Sequence, residues 1–194
     1  MNARKIAAEA VRDHGALQKE GELASFLAAL ADVHVEVVVE IGCDAGGTLW
    51  AWQQLPGVRR VIGVDLPKAE FSTGRELDRA GAEMVIFGDS HADDVRNTLV
   101  GVLGNEPIDL LFIDGDHTYE GVRQDYEMYS PLVRPGGVIA FHDVGPHPAI
   151  PSVGVGRFWS EIRGTTIFWD ETLIGDPTWA GIGWMLKTPA VVAQ

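Results

Sequence analysis

Residues 35–48 read Val-Glu-Val-Val-Val-Glu-Ile-Gly-Cys-Asp-Ala-Gly-Gly-Thr. The apolar, β-branched run over 35–41 predicts a strand that is buried inside a parallel sheet. The glycines between 42 and 47 predict a tight turn, because glycine adopts backbone conformations that other residues avoid. Residues 48–55 then predict a short helix that ends at Pro56 and Gly57. A strand, a turn and a helix in this order predict an α/β fold with a ligand at the turn.

Apolar runs of strand character recur along the rest of the chain. They predict further strands over residues 61–64, 84–87, 108–113, 137–141, 165–169 and 182–187. Helical patterns lie at residues 3–12, 23–30, 77–80, 90–102 and 119–129. A capping box of Ser90 and Asp93 is expected to open the fourth of these helices. The last two strands are separated by too few residues for a crossover helix, which favours antiparallel pairing. We therefore predict a doubly wound α/β sheet of seven mostly parallel strands, with an antiparallel last strand and helices on both faces.

The composition limits the number of domains and the classes of partner. The chain has 194 residues, which suits one domain over 1–194, with residues 1–34 as helices that lead into the core. The formal net charge of −13 argues against binding to nucleic acid or to an anionic membrane. A single cysteine, Cys43, excludes a disulfide within the chain and fits a cytoplasmic location. No apolar run approaches the roughly 20 residues of a membrane-spanning helix.

Acidic and imidazole side chains follow two of the predicted strands. Asp114, Asp116 and His117 come directly after the strand at 108–113, and His142 and Asp143 follow the strand at 137–141. Ligands of α/β proteins bind at the carboxyl ends of such strands. Oxygen and nitrogen ligands grouped there suit a hard cation together with a substrate hydroxyl.

The spacing of the glycine turn favours one class of cofactor. Dinucleotide enzymes use G-x-G-x-x-G, whereas this turn reads G-x-x-x-G-G and carries Asp44 where a pyrophosphate would lie. A carboxylate at that position repels a pyrophosphate but tolerates a cofactor with a cationic amino acid end. Asp65 closes the second strand, where a carboxylate can accept hydrogen bonds from both ribose hydroxyls. These features favour S-adenosylmethionine (SAM).

On these residues the chain resembles class I SAM-dependent methyltransferases, which have a Rossmann-like fold, over roughly residues 18–187. Glu40-x-Gly42-x-x-x-Gly46 matches the first motif of that family, and Asp65 matches its ribose-binding acid. Asp89 and Ser90 match the position that contacts adenine. The cofactor-binding residues implied by the resemblance are Glu40, Gly42, Asp44, Gly46, Asp65, Asp89 and Ser90.

A closer resemblance is to metal-dependent O-methyltransferases and to cephalosporin hydroxylase-like proteins. It rests on Asp114-Gly-Asp-His117-Thr-Tyr119 and on Pro135-Gly-Gly-Val-Ile-Ala-Phe-His142-Asp143. The resemblance implies a divalent metal, Mg²⁺ or Mn²⁺, held by Asp114, His142 and Asp143, with His117 as general base. Many such relatives have an acid in place of His142. Three alternatives therefore stand: a softer metal, His142 as a second base, or no metal.

The resemblance implies an O-methyltransferase that uses SAM and acts on the hydroxyl of a small molecule, such as a sugar, a phenol or a natural-product scaffold. Two other classes stay open: a hydroxylase-like or other cofactor-binding oxidoreductase, and a SAM-binding module without catalysis. We expect the proline- and glycine-rich loop at 146–156 to cover the acceptor side. A homodimer is an expectation that rests on exposed-looking aromatic positions.

Overall fold

A computed structural model of the chain describes residues 1–67, 82–166, 168–172 and 178–188. The predicted helix at 77–80 lies outside these residues. The described strands are β1 (Val37–Ile41), β2 (Arg60–Asp65), β3 (Met84–Phe87), β4 (Ile108–Ile113), β5 (Val133–Phe141), β6 (Trp169–Thr172) and β7 (Ile182–Leu186). The described α-helices are α1 (Ala3–His14), α2 (Glu20–Leu30), α3 (Gly47–Gln53), α4 (Asp93–Leu103), α5 (Tyr119–Tyr129) and α6 (Val155–Ile162).

The strands form one sheet in the order β3-β2-β1-β4-β5-β7-β6. The five strands from β3 to β5 pair in parallel, whereas β7 runs antiparallel to both of its neighbours. This arrangement confirms the prediction of a doubly wound, mostly parallel sheet with an antiparallel last strand. The order reverses between β1 and β4, and α/β proteins bind their ligands outside such a reversal.

Apolar layers cover both faces of the sheet. Helices α1 to α3 enclose one layer, in which the rings of Phe26, Trp52 and Phe112 pack against each other. Helices α4 to α6 enclose the other layer, which contains Phe141 and Trp159. Strand β1 contributes to both layers and is buried along its whole length, which explains its nearly continuous apolar sequence.

One predicted strand boundary near the C-terminal end of the sheet and one predicted helix cap are wrong in detail. The strand predicted at 165–169 begins only at Trp169, because Arg163–Thr165 continue from α6 as a 3-10 helix. The predicted capping box is also absent, since α4 begins at Asp93 with Ala92 at the N-cap. The hydroxyl of Tyr129 donates to the Ser90 carbonyl at 2.6 Å, which fixes Ser90 in the turn before the helix.

Strand β5 starts earlier than the predicted residue 137, at Val133, which pairs with Ile108 of β4. The register shifts after this pair. Gly136 permits the irregular path with a φ of 74°.

None of the described helices has both the length and the apolar character that crossing a bilayer requires.

Gly42 brings two central strands together at the carboxyl edge. Its φ is 78°, and a Cβ atom placed there would lie 2.2 Å from the carbonyl oxygen of Asp114. The Asp114 N–H donates to the Ile41 carbonyl at 2.8 Å, and the Gly42 N–H donates to the Val64 carbonyl at 2.8 Å. The ends of β1, β2 and β4 therefore meet at a position that only glycine fits.

We expect Gly42→Ala to lower the free energy of unfolding by more than about 2 kcal/mol, because left-handed backbone and a backbone clash add together. Urea denaturation measures the change. Gly101→Ala is the matched control: it lies in α4, where an added Cβ meets no heavy atom of the described chain within 4 Å. This control should gain up to about 1 kcal/mol from helix propensity. Equal stability of Gly42→Ala and the unmodified protein would contradict the close approach.

Candidate functional site

The carboxyl ends of the parallel strands open into a cavity of about 870 Å³. Its walls come from the loops after the five parallel strands, from residues 15–18 between α1 and α2, and from Trp179 before β7. Nine of the predicted site residues line it: Gly42, Asp44, Asp65, Asp89, Ser90, Asp114, His117, His142 and Asp143. The structure thus gathers the predicted cofactor turn and the predicted metal cluster in one cavity.

Asp65 holds the glycine turn in place. Its Oδ2 accepts hydrogen bonds from the backbone N–H of Asp44 at 2.8 Å and of Cys43 at 3.2 Å. Asp44 has a φ of 41°, a left-handed conformation that is uncommon outside glycine. The carboxylate at the end of β2 therefore sets the shape of the turn and also faces the cavity.

Glu40 and Gly46 do not contribute to the cavity wall. Glu40 is fully buried and accepts hydrogen bonds from the Thr48 hydroxyl and, at 3.0 Å, from Trp52 Nε1. Burial raises the pKa of Glu40 to about 8. Gly46 has a φ of 83° and stands at the N-cap of α3. Both residues stabilise the turn and helix from behind, and their direct contact with a cofactor stays a prediction.

The loop after β3 forms the side of the cavity where adenine is predicted. Asp89 Oδ1 accepts from the backbone N–H of His91 at 2.9 Å. Behind this loop lies Asp125, which is fully buried beside Ser90 and His91. His91 Nε2 lies 3.3 Å from Asp125 Oδ1, and burial raises the pKa of Asp125 to about 6.

A cluster of side chains that could bind a metal lies between the ends of β4 and β5. Ligand atoms of Asp114, His117 and Asp143 all lie within 4.8 Å of one another. His117 Nε2 is 3.3 Å from Asp114 Oδ1, and its Nδ1 is 3.3 Å from Asp143 Oδ2. The side chain of His117 is 44% exposed, so its imidazole remains accessible from the cavity.

His142 stands deeper than His117 and contacts carboxylates through both ring nitrogens. Its Nε2 is 2.9 Å from Oε1 of Glu22, while its Nδ1 is 3.3 Å from Asp114 Oδ1 and 3.5 Å from Asp143 Oδ1. Glu22 is fully buried and also accepts from the backbone N–H of Lys19 at 2.9 Å and of Gly181 at 2.8 Å. Because Glu22 only accepts, it fixes a proton on Nε2 and turns Nδ1 towards the two aspartates.

The charges around the cluster shift the pKa values of its members. Burial alone would lower the pKa of His142, but Asp114 and Glu22 raise it well above the ordinary value. The hydrogen bond with Asp114 likewise raises the pKa of His117. Burial alone would raise the pKa of Asp114, but His142 and His117 lower it. The shifts have opposite signs because each group stabilises the charged form of the other: the carboxylates favour protonated histidines, and the histidines favour an ionised Asp114.

Three further side chains contact the cluster, of which only His147, four residues after Asp143, lies near it in the sequence. Gln18 Nε2 donates to Asp114 Oδ2 at 2.7 Å, Glu22 holds His142, and His147 Nε2 lies 3.0 Å from Asp143 Oδ1. Gln18 and Glu22 lie far from the cluster along the chain, so no local pattern predicts their partners.

Comparisons with known proteins agree with this geometry. A family model described as a methyltransferase domain matches residues 39–144. An uncharacterized protein of Acanthamoeba polyphaga mimivirus is 32% identical over 122 residues, which cover 59% of this chain and 54% of that protein. The match therefore spans about half the length of this relative.

Solved structures share the fold. The O-methyltransferase TomG from Streptomyces achromogenes, in complex with SAM, is 23% identical with a TM-score of 0.64, covering 97% of this chain and 91% of TomG. MycE from the mycinamycin biosynthetic pathway, in complex with Mg, S-adenosylhomocysteine and mycinamycin VI, is 16% identical with a TM-score of 0.67. That comparison covers 100% of this chain and 56% of MycE.

Replacement of Glu40 tests the buried carboxyl behind the turn. Its pKa rises from 4.5 to about 8 in the folded protein, so the folded state retains a proton that the unfolded state releases within this range. The contribution of Glu40 to the free energy of unfolding must therefore fall as the pH rises through this range. We expect the stability of the unmodified protein relative to Glu40→Gln to decline between about pH 5 and pH 9. Denaturation at several pH values measures this difference, and a constant difference would contradict the buried, protonated state.

Proposed function

This chain belongs to the methyltransferase-domain family, and we propose that it is an O-methyltransferase that methylates a small-molecule hydroxyl with SAM and a divalent cation. The observation that carries the proposal is the meeting of the glycine turn with a cluster of aspartates and histidines in one cavity. Cofactor and acceptor would lie side by side there. Methyl transfer requires this proximity, because alignment supplies much of its rate.

The cavity has features that suit SAM. Gln18 Oε1 is buried, lines the cavity and accepts no hydrogen bond from the described residues, so an amino group of a ligand would satisfy it. Asp65 stands at the end of β2, where ribose is expected. Asp44 adds a negative charge beside the turn, which disfavours the pyrophosphate of a dinucleotide. This last feature weighs against the oxidoreductase alternative.

The cluster also has the ligands for a divalent cation. Asp114 Oδ1, Asp143 Oδ1 and His142 Nδ1 face each other, and all three are acceptors once Glu22 holds the proton on Nε2. Without a metal, a second proton on Nδ1 meets the negative charge of the two aspartates, as the raised pKa of His142 indicates, and a divalent cation would replace that proton. Two carboxylates suit Mg²⁺, while an imidazole ligand favours Mn²⁺ or a softer metal. We propose Asp114, His142 and Asp143 as the ligands.

Bound SAM supplies an electrophilic methyl group, and a bound divalent cation lowers the pKa of the acceptor hydroxyl. His117 is accessible from the cavity and would remove the hydroxyl proton as general base. Asp114 and Asp143 each lie 3.3 Å from one of its ring nitrogens, so they orient the imidazole and stabilise its protonated form. Gly154, whose N–H donates to the His117 carbonyl at 2.7 Å, fixes the backbone of this residue.

Separate variants of the two histidines test these assigned roles. We expect the single variants His142→Ala and Glu22→Gln each to weaken Mn²⁺ binding by about 10- to 100-fold. The first removes a proposed metal ligand, and the second removes the carboxylate that orients His142. We expect His117→Ala to bind Mn²⁺ nearly normally but to slow methyl transfer by about 10²- to 10⁴-fold. Calorimetry on metal-stripped protein and transfer of a labelled methyl group from SAM measure the two effects.

His34→Ala is the matched control for both measurements, because His34 is 73% exposed and pairs with Glu36 outside the cavity. It should change neither metal binding nor methyl transfer. Loss of Mn²⁺ binding in His117→Ala, with normal binding in His142→Ala, would reverse the proposed roles. Absence of methyl transfer from any variant and from the unmodified protein, despite bound SAM, would favour a binding module.

A further inference from the structure

The mouth of the cavity carries large apolar side chains that are exposed to solvent. Leu17, Ile150 and Trp179 line the cavity and are 67%, 53% and 43% exposed. We call these three residues the apolar rim. Exposed apolar groups that border a cavity are typical of a surface that a ligand covers.

The apolar rim frames the metal cluster rather than the predicted adenine side. Leu17 precedes Gln18, whose side chain donates to Asp114. Trp179 precedes Ala180, whose N–H donates to His147 Nε2 at 3.0 Å, and the same nitrogen lies 3.0 Å from Asp143 Oδ1. A ligand that places a hydroxyl at the cluster therefore extends across the rim.

The cavity wall is acidic. Six aspartates line it, whereas none of the lining residues in the described part of the chain is a lysine or an arginine. They are Asp44, Asp65, Asp89, Asp114, Asp116 and Asp143. Lys19 is a cation beside the rim: its Nζ donates to the Trp179 carbonyl at 2.7 Å and lies 4.6 Å from the centroid of the Trp179 ring. Lys19 thus covers one side of Trp179. Four histidines also line the wall, but the six aspartates outnumber them.

Building on the proposed function, we propose that the acceptor is a hydroxyl compound with a flat apolar face and no negative charge. The apolar rim removes such a face from water, and the Trp179 ring provides an aromatic surface for it. An acceptor with a carboxylate, a sulfate or a phosphate would lose hydration in a cavity that repels it. A cationic substituent meets no such barrier. We therefore expect carboxylated, phosphorylated and coenzyme A-linked acceptors to bind more weakly than neutral or cationic ones.

Three probe compounds that share the same dihydroxylated ring but differ in charge isolate the effect of charge. Ethylcatechol is neutral, dopamine is cationic and homoprotocatechuate is a carboxylate, and all three have two adjacent hydroxyls on a flat ring. Calorimetry is done on protein loaded with Mn²⁺ and saturated with S-adenosylhomocysteine. We expect the neutral and cationic probes to bind, and the carboxylate to bind at least about tenfold more weakly, a gap that narrows at high salt.

A pair of tryptophan variants isolates the effect of the rim. We expect Trp179→Ala to weaken ethylcatechol binding by about tenfold and to leave the affinity for S-adenosylhomocysteine unchanged. Trp169→Ala is the matched control. Trp169 is 41% exposed, has the guanidinium of Arg163 at 4.7 Å from its ring centroid and does not line the cavity. Its removal should change neither affinity.

Each outcome decides one part of the inference. Equal or tighter binding of the carboxylate would overturn the expectation that anions bind more weakly. Binding of none of the probes, or equal losses in the two tryptophan variants, would overturn the apolar rim as the acceptor surface. Failure of S-adenosylhomocysteine to bind in the loading step would instead overturn the proposed function, and with it the inference about the acceptor.

Discussion

The close packing of β4 against Gly42 is the constraint on which the site depends. A side chain at position 42 would overlap the backbone of Asp114, so the strand ends can meet only because this residue has no Cβ. The same approach sets Asp114 directly beside the glycine turn. The glycine turn and the cluster of Asp114, His117, His142 and Asp143 therefore line one cavity because the backbones of two central strands are in contact.

The cavity also concentrates backbone conformations that cost energy. The non-glycine residues with positive φ in the described chain are Asp44, Asp143 and Ala180. Asp44 and Asp143 line the cavity, and Ala180 donates to His147 beside it. The buried carboxylate of Glu22 links this region to α2 by holding both His142 and Gly181. Strained positions persist where the surrounding structure fixes them, and hydrogen bonds from distant segments provide that support here.

The sequence predicted most of the sheet, because buried parallel strands such as β1 and β4 are nearly continuous apolar runs. It misplaced β6, a short strand at the sheet edge whose residues are exposed or half-buried, so its apolar pattern is weak. For the site, the pattern predicted which strand ends carry acids and imidazoles. It did not predict that Glu22 would orient His142, since their contact joins residues 120 positions apart. It also missed that Glu40 lies behind the wall, because burial on one side of a strand depends on packing by α3.

The most direct test of the central claim is a calorimetric titration of the metal-stripped protein with S-adenosylhomocysteine and, separately, with NAD. Asp44 lines the cavity at the turn, and Asp65 lines it at the end of β2. We therefore predict that S-adenosylhomocysteine binds and that NAD does not. Binding of NAD alone would assign the cavity to a dinucleotide and contradict the account. Binding of neither would leave the glycine turn as a purely structural connection between β1 and α3.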